Sequence, residues 1–316
     1  MSDLALVTGG AGFIGGHLAE RLLREGWSVR VLDDFSSGRE ENLAEVRHHV
    51  ELLRGDLRDG ALLARALAGA RVVFHQAAIP SVPHSVADPL GSDAVNAHGT
   101  LGVLEGARRA GVERVVFASS CAVYGDDDTL PKHEALPACP LSPYALQKRT
   151  GESYCRLYAQ LYGLTTVALR YFNVYGPRQN PDGDYAAAIP RFLRAGLKGE
   201  PISLHGDGEQ TRDFVYVGDV VNANLLAAQA PGAAGRVVNV ASGTEISVKH
   251  LAERILALTG SSAPLRHVGA RAGEVRRSVA DLGAAQQLLG YKPSVDLPTG
   301  LRRTLEHLRA KGGFAA

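Results

Sequence analysis

Tyr144 and Lys148, four positions apart, form the pair in this sequence best suited to chemistry. Ser142 and Pro143 before them are typical of a helix start, because serine caps the first turn and proline needs no N–H there. Side chains four residues apart lie on the same helix face. A nearby ammonium favours an ionised phenol and lowers its pKa, and a phenolate takes a proton from an alcohol. Since such pairs also occur by chance, the elements that position this one decide its meaning.

The first 33 residues predict a dinucleotide site. An apolar run at residues 4–7 is typical of a strand buried in a parallel sheet, and Gly9, Gly12 and Gly15 follow before a helical pattern. This order permits a tight turn and close approach of the backbone to a pyrophosphate at the helix N-terminus. The next strand leads into Asp33, whose carboxylate would accept ribose hydroxyls and repel a 2′-phosphate. The sequence therefore predicts NAD rather than NADP.

Strand and helix patterns alternate through the first half of the chain. Apolar runs at residues 50–53, 71–75, 114–118 and 164–169 predict strands, and residues 88–110 predict one long helix. This succession indicates an α/β fold with a doubly wound parallel Rossmann sheet. Composition changes near residue 175, which predicts a Rossmann domain at 1–174 and a smaller α/β substrate lobe at 175–316. A segment near 212–241 is expected to return to the main sheet.

Composition excludes several partner classes. The formal net charge is +1, with 45% hydrophobic and 21% charged residues, which argues against nucleic acid or a membrane surface. We see no signal peptide, and no apolar run near the roughly 20 residues of a membrane span. The three cysteines are odd in number and irregularly spaced, so neither a disulfide framework nor a metal site is predicted. A reducing cytoplasm is the natural location.

Individual polar residues leave alternatives open. His75 would serve as a base or as a hydrogen-bonded structural residue, and we favour the structural interpretation. Asn96, inside an apolar helical pattern, is expected to satisfy backbone groups. Arg212 and Arg271 each suit a diphosphate but stand beside acidic residues, so a structural ion pair is equally consistent. A nucleophilic role for Ser120 lacks a histidine that the sequence places beside it.

Several motifs in order resemble the extended short-chain dehydrogenases/reductases, and specifically the UDP-galactose 4-epimerase group. They are TGGAGFIG at 8–15, SS at 119–120 before VYG, SPY at 142–144 with Lys148, RYFNVYG at 170–176, GDG at 206–208, TRDF at 211–214 and NVASG at 239–243. The resemblance runs from Leu4 to about Tyr291. It implies an NAD-dependent epimerase that oxidises C4 of a UDP-hexose to a ketone and reduces it again from the other face.

The same resemblance implies site residues. Tyr144 is the acid/base, Lys148 holds the nicotinamide ribose and Ser120 hydrogen-bonds O4. The residues implied for NAD are Gly9, Gly12, Phe13, Ile14, Gly15, Asp33, Asp34, Phe35, Ser37, Gly38, Asp56, Leu57, Gln76, Ala77, Ala78, Asn96, Ser119 and Tyr171. The residues implied for the nucleotide sugar are Ser81, Asn173, Ala187, Ala188, Ile189, Arg212, Arg271, Glu274 and Ser278. A homodimer through a four-helix bundle is also expected.

Substrate choice rests on two features. Residues 178–186 resemble epimerases of UDP-N-acetylhexosamines, and Ser278 falls where the family has a tyrosine, a cysteine or a serine. A tyrosine there would fill the space of a 2-N-acetyl group, and a small side chain leaves it open. The hypothesis is that UDP-GlcNAc and UDP-GalNAc are accepted, together with UDP-Glc and UDP-Gal.

Three rival functions share the fold. A nucleotide-sugar 4,6-dehydratase would carry an Asp-Glu pair after Ser120, where this chain has Cys121 and Ala122. A UDP-glucuronate 4-epimerase would use a cation such as Arg178 or His84 against the carboxylate. A catalytically silent NAD-binding regulator is the third, and intact Ser120, Tyr144 and Lys148 argue against it.

Overall fold

A computed structural model describes residues 2–181, 187–269 and 275–312 of the chain. The strands are β1 (Leu4–Thr8), β2 (Ser28–Asp33), β3 (Val50–Arg54), β4 (Val72–His75), β5 (Arg114–Ser120), β6 (Thr165–Tyr171), β7 (Asn173–Tyr175), β8 (Ile202–His205), β9 (Thr211–Tyr216), β10 (Arg236–Val240), β11 (Glu245–Ser247) and β12 (Leu265–Val268). The α-helices are α1 (Phe13–Arg24), α2 (Gly60–Leu67), α3 (Val82–Ala87), α4 (Pro89–Asp93), α5 (Gly99–Arg109), α6 (Pro143–Tyr162), α7 (Ala188–Lys198), α8 (Val217–Gln229), α9 (Val248–Thr259), α10 (Gly283–Leu289) and α11 (Leu297–Gly312).

The described strands include a seven-stranded parallel sheet in the order β10-β6-β5-β4-β1-β2-β3. Chain order reverses between β1 and β4, which creates the crevice where ligands of such sheets bind. The predicted doubly wound Rossmann architecture is confirmed. Ala5 and Val7 of β1 pack into one apolar cluster and Leu6 into another, so helices cover both faces of the sheet.

A smaller lobe contains a three-stranded sheet, β11-β9-β7, and a two-stranded sheet, β12-β8. Helices α7, α9 and α11 pack around its own apolar cluster, which includes Phe192, Leu251 and Leu301. Between these segments the chain passes through α8, which packs on α1, and β10, which joins the large sheet beside β6. β9 stays in the small sheet. The domain boundary at 174/175 remains a prediction.

The region predicted as one helix over 88–110 is interrupted. It contains α4, a π-helical turn at Ala94–His98 and then α5. Asn96 lies in the π turn, where its amide bonds both backbone groups of Ile79 and the side chain of Gln147. These partners stabilise the extra residue of the wider π turn. Because they are distant in the chain, the local sequence pattern does not reveal them.

None of the described helices is both long and apolar enough to cross a membrane.

Candidate active site

A crevice of about 1350 Å³ lies beyond the carboxyl ends of the large sheet and extends to the small lobe. Ligand sites are commonly about 300–1,000 Å³, so this space suits a dinucleotide together with a second ligand. The predicted residues that line it are Gly9, Gly12, Phe13, Ile14, Gly15, Asp33, Asp34, Ser37, Asp56, Leu57, Gln76, Ala77, Ala78, Ser81, Ser119, Ser120, Tyr144, Lys148, Tyr171, Asn173, Ala187, Ala188, Ile189, Arg212 and Ser278.

Three residues predicted for the cofactor support the crevice from behind. Asn96 holds the backbone of Ile79, as described above. Gly38 packs against Ala11 and Asp33, where a Cβ would lie 2.7 Å from Oδ1 of Asp33. Phe35 has a left-handed backbone, φ 60°, and its ring lies 4.2 Å from the Arg54 guanidinium carbon. Arg271 and Glu274 lie outside the described residues.

The glycine turn between β1 and α1 fits a dinucleotide. Gly9 adopts φ 68°, and a Cβ on Gly15 would lie 2.1 Å from the carbonyl oxygen of Gly9. The first turn of α1 has no side-chain cap, so its N–H groups remain for an anion. Asp33 is buried at the end of β2 and accepts the N–H groups of Ala11 and Phe35 at 2.8 Å each. Its remaining lone pairs suit ribose hydroxyls.

Helix α6 presents Tyr144 and Lys148 to the crevice. Ser142 caps the helix, with its Oγ accepting the N–H of Ala145, and Pro143 occupies the first turn. Ser120, at the end of β5, accepts the N–H of Ala122 at 3.2 Å. The structure therefore brings the three predicted catalytic side chains to one crevice.

The electrostatics of the pair differ from the simple expectation. Burial raises the pKa of Tyr144 to about 12, although a hydrogen bond with Ser120 acts in the opposite direction. Burial also lowers the pKa of Lys148 to about 8. The Lys148 ammonium donates to the carbonyl of Ala118 at 2.7 Å and lies 5.8 Å from the centre of the Tyr144 ring. Desolvation is the largest cause of both shifts, and a positive charge bound beside the phenol would favour its ionised form.

His75 occupies a structural position. It is fully buried, with Nδ1 2.7 Å from the Thr8 hydroxyl and Nε2 2.9 Å from the Thr100 hydroxyl. Burial lowers the pKa of His75 to about 3, so the ring is neutral. These contacts agree with the structural interpretation of the sequence.

Two buried networks behind the crevice were not predicted. Glu152 accepts hydrogen bonds from Ser119 at 2.7 Å and from Arg170 at 2.7 and 2.8 Å. The sequence feature that could have predicted this contact is spacing, because Glu152 follows Lys148 by one further helical turn.

The second network joins α8 to the crevice wall. Asn224 donates to the Tyr171 hydroxyl at 2.8 Å, and Gln76 donates to Asn224 at 3.1 Å. No sequence pattern announces this contact, since Asn224 is 53 residues from Tyr171.

The small lobe supplies the opposite wall. Asn173 begins β7, and Ala187, Ala188 and Ile189 form the start of α7. Arg212 on β9 donates to the carbonyls of Thr211 and Val275 at 2.8 Å each, which orients its guanidinium at the crevice.

Ser278 is 9% exposed and lies beside a short bridge between Lys132 and Ala280. Among the described residues, no group of three His, Cys, Asp or Glu side chains is placed to hold a metal ion.

Comparisons with known proteins agree with this geometry. A model of the NAD dependent epimerase/dehydratase family matches residues 5–241. The chain is 42% identical over 310 residues to a UDP-glucose 4-epimerase of Mycolicibacterium smegmatis, covering 97% of this chain and 98% of that protein. A putative UDP-glucose 4-epimerase of Methanocaldococcus jannaschii is 40% identical over 308 residues, with 97% and 98% covered.

Solved structures are similar along the whole chain. A UDP-N-acetylglucosamine 4-epimerase of Methanobrevibacter ruminantium in complex with UDP-N-acetylmuramic acid has a TM-score of 0.94 and 38% identity, covering 98% of this chain and 100% of that one. A UDP-glucose 4-epimerase of Thermus thermophilus in complex with NAD has a TM-score of 0.89 and 38% identity, covering 98% and 99%. By sequence, the chain is also 35% identical to a UDP-N-acetyl-alpha-D-glucosaminuronate decarboxylase of Bacillus cytotoxicus, with 98% of each chain covered.

The identity and coverage extend through both walls of the crevice, and the glycine turn and Asp33 provide the features that a dinucleotide requires. The chain belongs to the NAD dependent epimerase/dehydratase family, and NAD is its cofactor.

Proposed function

We propose that this protein inverts C4 of a UDP-hexose through a 4-keto intermediate, with NAD held in the glycine-turn half of the crevice. The observation that carries the proposal is that Ser120, Tyr144 and Lys148 line one crevice between the glycine turn and the wall of the small lobe that includes Arg212. The relatives named UDP-sugar 4-epimerases support it.

The cofactor half would hold NAD through the N-terminus of α1 and the carboxylate of Asp33, with Lys148 against the second ribose. When bound, NAD supplies a hydride acceptor and a positive charge. Tyr144 supplies the proton acceptor. Burial raises the pKa of Tyr144 to about 12, and the added positive charge would favour the phenolate.

Ser120 and Tyr144 would act together on O4 of the sugar. Ser120 ends β5, and its hydroxyl lowers the pKa of the Tyr144 phenol, so the two hydroxyl groups would be available to one substrate oxygen. Tyr144 takes the O4 proton as the hydride leaves C4, and returns a proton when the ketone is reduced. Because the hydride removed from C4 is returned to the same carbon, the reaction needs no net oxidant.

Asn173 and Arg212 would hold the diphosphate while the hexose turns over. The guanidinium fork of an arginine matches phosphate oxygens. Anchoring the diphosphate and leaving the hexose free allows the keto sugar to present either face to the same hydride position. The start of α7 at Ala187, Ala188 and Ile189 would pack along the uridine.

The size of Ser278 supports N-acetylated substrates. Its side chain lines the crevice, and the Lys132–Ala280 bridge fixes the segment that carries it. A serine there leaves the volume that a tyrosine would fill. We therefore include UDP-GlcNAc and UDP-GalNAc among the substrates, with UDP-Glc and UDP-Gal.

Uronic acids are less suited to this crevice. The Arg178 guanidinium is committed to Glu20, with both side chains about one-tenth exposed, and neither Arg178 nor His84 lines the crevice. Elimination of water is disfavoured too, because Cys121 and Ala122 occupy the turn after Ser120 and supply no acid–base pair.

We also propose a homodimer in which α5 and α6 of two copies form a four-helix bundle. Leu146, Leu157 and Leu161 fall on one face of α6 and are 56%, 42% and 67% exposed. Exposed apolar side chains that share one helix face suit a surface covered by a second copy of the chain. Free thiols at Cys121, Cys139 and Cys155 fit the reducing cytoplasm that we propose as its location.

The test is separate incubation of the purified protein with UDP-GlcNAc, UDP-Glc and UDP-GlcA, followed by NMR of the anomeric protons. We expect UDP-GalNAc and UDP-Gal to form from the first two. A product only from UDP-GlcA would replace this proposal with a uronate epimerase or a decarboxylase, and no product from any of the three would refute it.

A further inference from the structure

Arg178 sits at a strained turn directly after β7. Its backbone has φ 68°, a left-handed conformation that residues other than glycine rarely adopt. The next two residues, Gln179 and Asn180, line the crevice. Oε1 of Gln179 is buried without a hydrogen-bond partner in the described part of the chain. Strained backbone and an unsatisfied acceptor both cost free energy. Gln179 donates its N–H to the Gly176 carbonyl at 3.3 Å and its Nε2 to the Val174 carbonyl at 3.0 Å, and a further interaction joins the turn to the cofactor half.

That interaction is the Arg178 clamp, which we define as Arg178 with Glu20, His17 and Asn42. The guanidinium bonds both carboxylate oxygens of Glu20, one of them at 3.0 Å, and the carbonyl of Asn42 at 2.9 Å. Arg178 and Glu20 side chains are 10% and 9% exposed. A bidentate ion pair shielded from water is among the stronger polar contacts available to a protein.

His17 completes the clamp as a neutral acceptor. Its Nε2 lies 2.9 Å from the carbonyl of Pro177, so this nitrogen carries the proton and donates. Nδ1 is then the acceptor for Arg178, at 2.5 Å. Burial lowers the pKa of His17 to about 4, so the ring stays neutral at physiological pH.

The clamp is anchored on the cofactor half of the molecule. Glu20 and His17 lie on α1, which begins at the glycine turn. Asn42 donates to the carbonyl of Ala11 at 2.8 Å, and the N–H of Ala11 donates to Asp33 at 2.8 Å. The turn that borders the substrate side therefore rests on the scaffold that carries the glycine turn and Asp33.

We propose that Arg178 is a positioning residue for the nucleotide sugar: its ion pair with Glu20 holds Gln179 and Asn180 at the wall of the crevice. This inference rests on the proposed function, because it concerns how the same site binds a UDP-sugar. Strain retained beside a binding site is explained when the strained conformation is the one that binds.

The test compares Arg178→Gly, Arg178→Lys and Glu20→Gln in the full-length protein loaded with NAD. Glycine adopts the left-handed conformation without strain. Arg178→Gly therefore removes the side-chain contacts of the clamp and still allows the turn to form. Lysine keeps the charge without the fork. Glu20→Gln breaks the ion pair from the other side and serves if an Arg178 variant folds poorly. Glu25→Gln, which removes the exposed Arg21–Glu25 pair at the end of the same helix, is the matched control.

We expect KM for UDP-GlcNAc and the calorimetric Kd for UDP to rise about tenfold in Arg178→Gly and Glu20→Gln, with a smaller rise in Arg178→Lys. The value of kcat at saturation and the bound NAD per chain should stay near wild type, and Glu25→Gln should change neither KM nor Kd. A structural role alone would lower Tm without this split between KM and kcat.

Two results are distinguishable failures. If the wild-type protein binds UDP but the variants bind it equally well, or lose kcat and NAD together, the clamp is not a positioning device. If the wild-type protein itself binds no UDP, the proposed function fails and the inference fails with it.

Discussion

At the scale of single residues, the chemistry depends on burial as much as on residue type. Tyr144 and Lys148 stand where their spacing predicts, yet burial moves the pKa of the tyrosine up to about 12 and that of the lysine down to about 8. Both shifts disfavour the charged form that the proposed reaction uses. A bound positive charge would lower the pKa of Tyr144 again, so we expect proton abstraction to be favoured in the state that holds NAD.

Tyr144→Phe tests the proton acceptor. Removing the hydroxyl should lower kcat for UDP-GlcNAc by about 10³-fold, the usual range of a lost general acid/base, while UDP and NAD still bind. Progress is followed by NMR and binding by calorimetry. Tyr154→Phe, on the same helix, should retain full activity. Turnover at the wild-type rate by the Tyr144→Phe variant would remove this tyrosine from the mechanism.

Ser278→Tyr tests the proposed size gate. The larger ring should abolish turnover of UDP-GlcNAc and UDP-GalNAc and spare UDP-Glc and UDP-Gal, because the plain hexoses have no 2-N-acetyl group to collide with it. Ser278→Ala is the control and should keep both pairs. Unchanged turnover of UDP-GlcNAc by the tyrosine variant would show that position 278 is not the gate.

His75 predicts a pH dependence of stability. Its folded pKa of about 3 lies below the ordinary value of 6.5, so the unfolded chain binds the proton first. The stabilisation is present above pH 6.5 and is lost as pH falls towards 3, at up to about 1.4 kcal/mol per pH unit. Urea unfolding at about pH 7, 6 and 5 measures the free energy of unfolding as pH falls into the range where this stabilisation is lost. The slope for His75→Gln should be shallower than that of wild type, and equal slopes would contradict the assignment.

At the scale of elements, the site is assembled from places where regular structure stops. The glycine turn ends β1, the Ser120 turn ends β5 and the Arg178 turn follows β7. The carboxyl ends of β1, β5 and β6 meet at one edge of the parallel sheet, and β7 of the small sheet follows β6 almost directly, so these turns converge although they are far apart in the chain. The π-helical turn at Asn96 is also a break in regular structure that shapes the site, because Asn96 fixes the backbone of Ile79 behind the cofactor half.

Gly15→Ala tests the close packing of the first of these turns. The added Cβ would lie 2.1 Å from the Gly9 carbonyl, a backbone atom that has little room to move. We expect loss of most bound NAD and destabilisation of about 1–3 kcal/mol, measured by absorbance of the released nucleotide and by urea unfolding. Gly60→Ala, at the open start of α2 with nothing near the added carbon, should change neither.

At the scale of the whole molecule, two lobes with separate apolar clusters share one crevice, and a row of leucines on α6 stays uncovered. The returning α8 and β10 bind the chain back to the large sheet, so the small lobe is connected to it through more than one crossing. This arrangement places the small-lobe wall that includes Arg212 opposite the glycine turn.

A double substitution, Leu157→Glu with Leu161→Glu, tests the proposed homodimer. Charges in the apolar face of α6 should shift the protein from dimer to monomer in light scattering, because burying unpaired carboxylates is costly. Val268→Glu on the exposed strand β12 is the matched control and should stay dimeric. A monomeric wild-type protein would contradict the bundle.

Local patterns alone were sufficient for the α/β class, the glycine turn and the start of α6, because glycine spacing, serine capping and apolar runs act over a few residues. Tertiary structure decided what depends on distant contacts. It raised the pKa of Tyr144, divided the helix at Asn96, and turned Arg178 away from the crevice onto Glu20, 158 positions earlier. Burial and long-range pairing set those outcomes, and neither is encoded in the spacing of neighbouring residues.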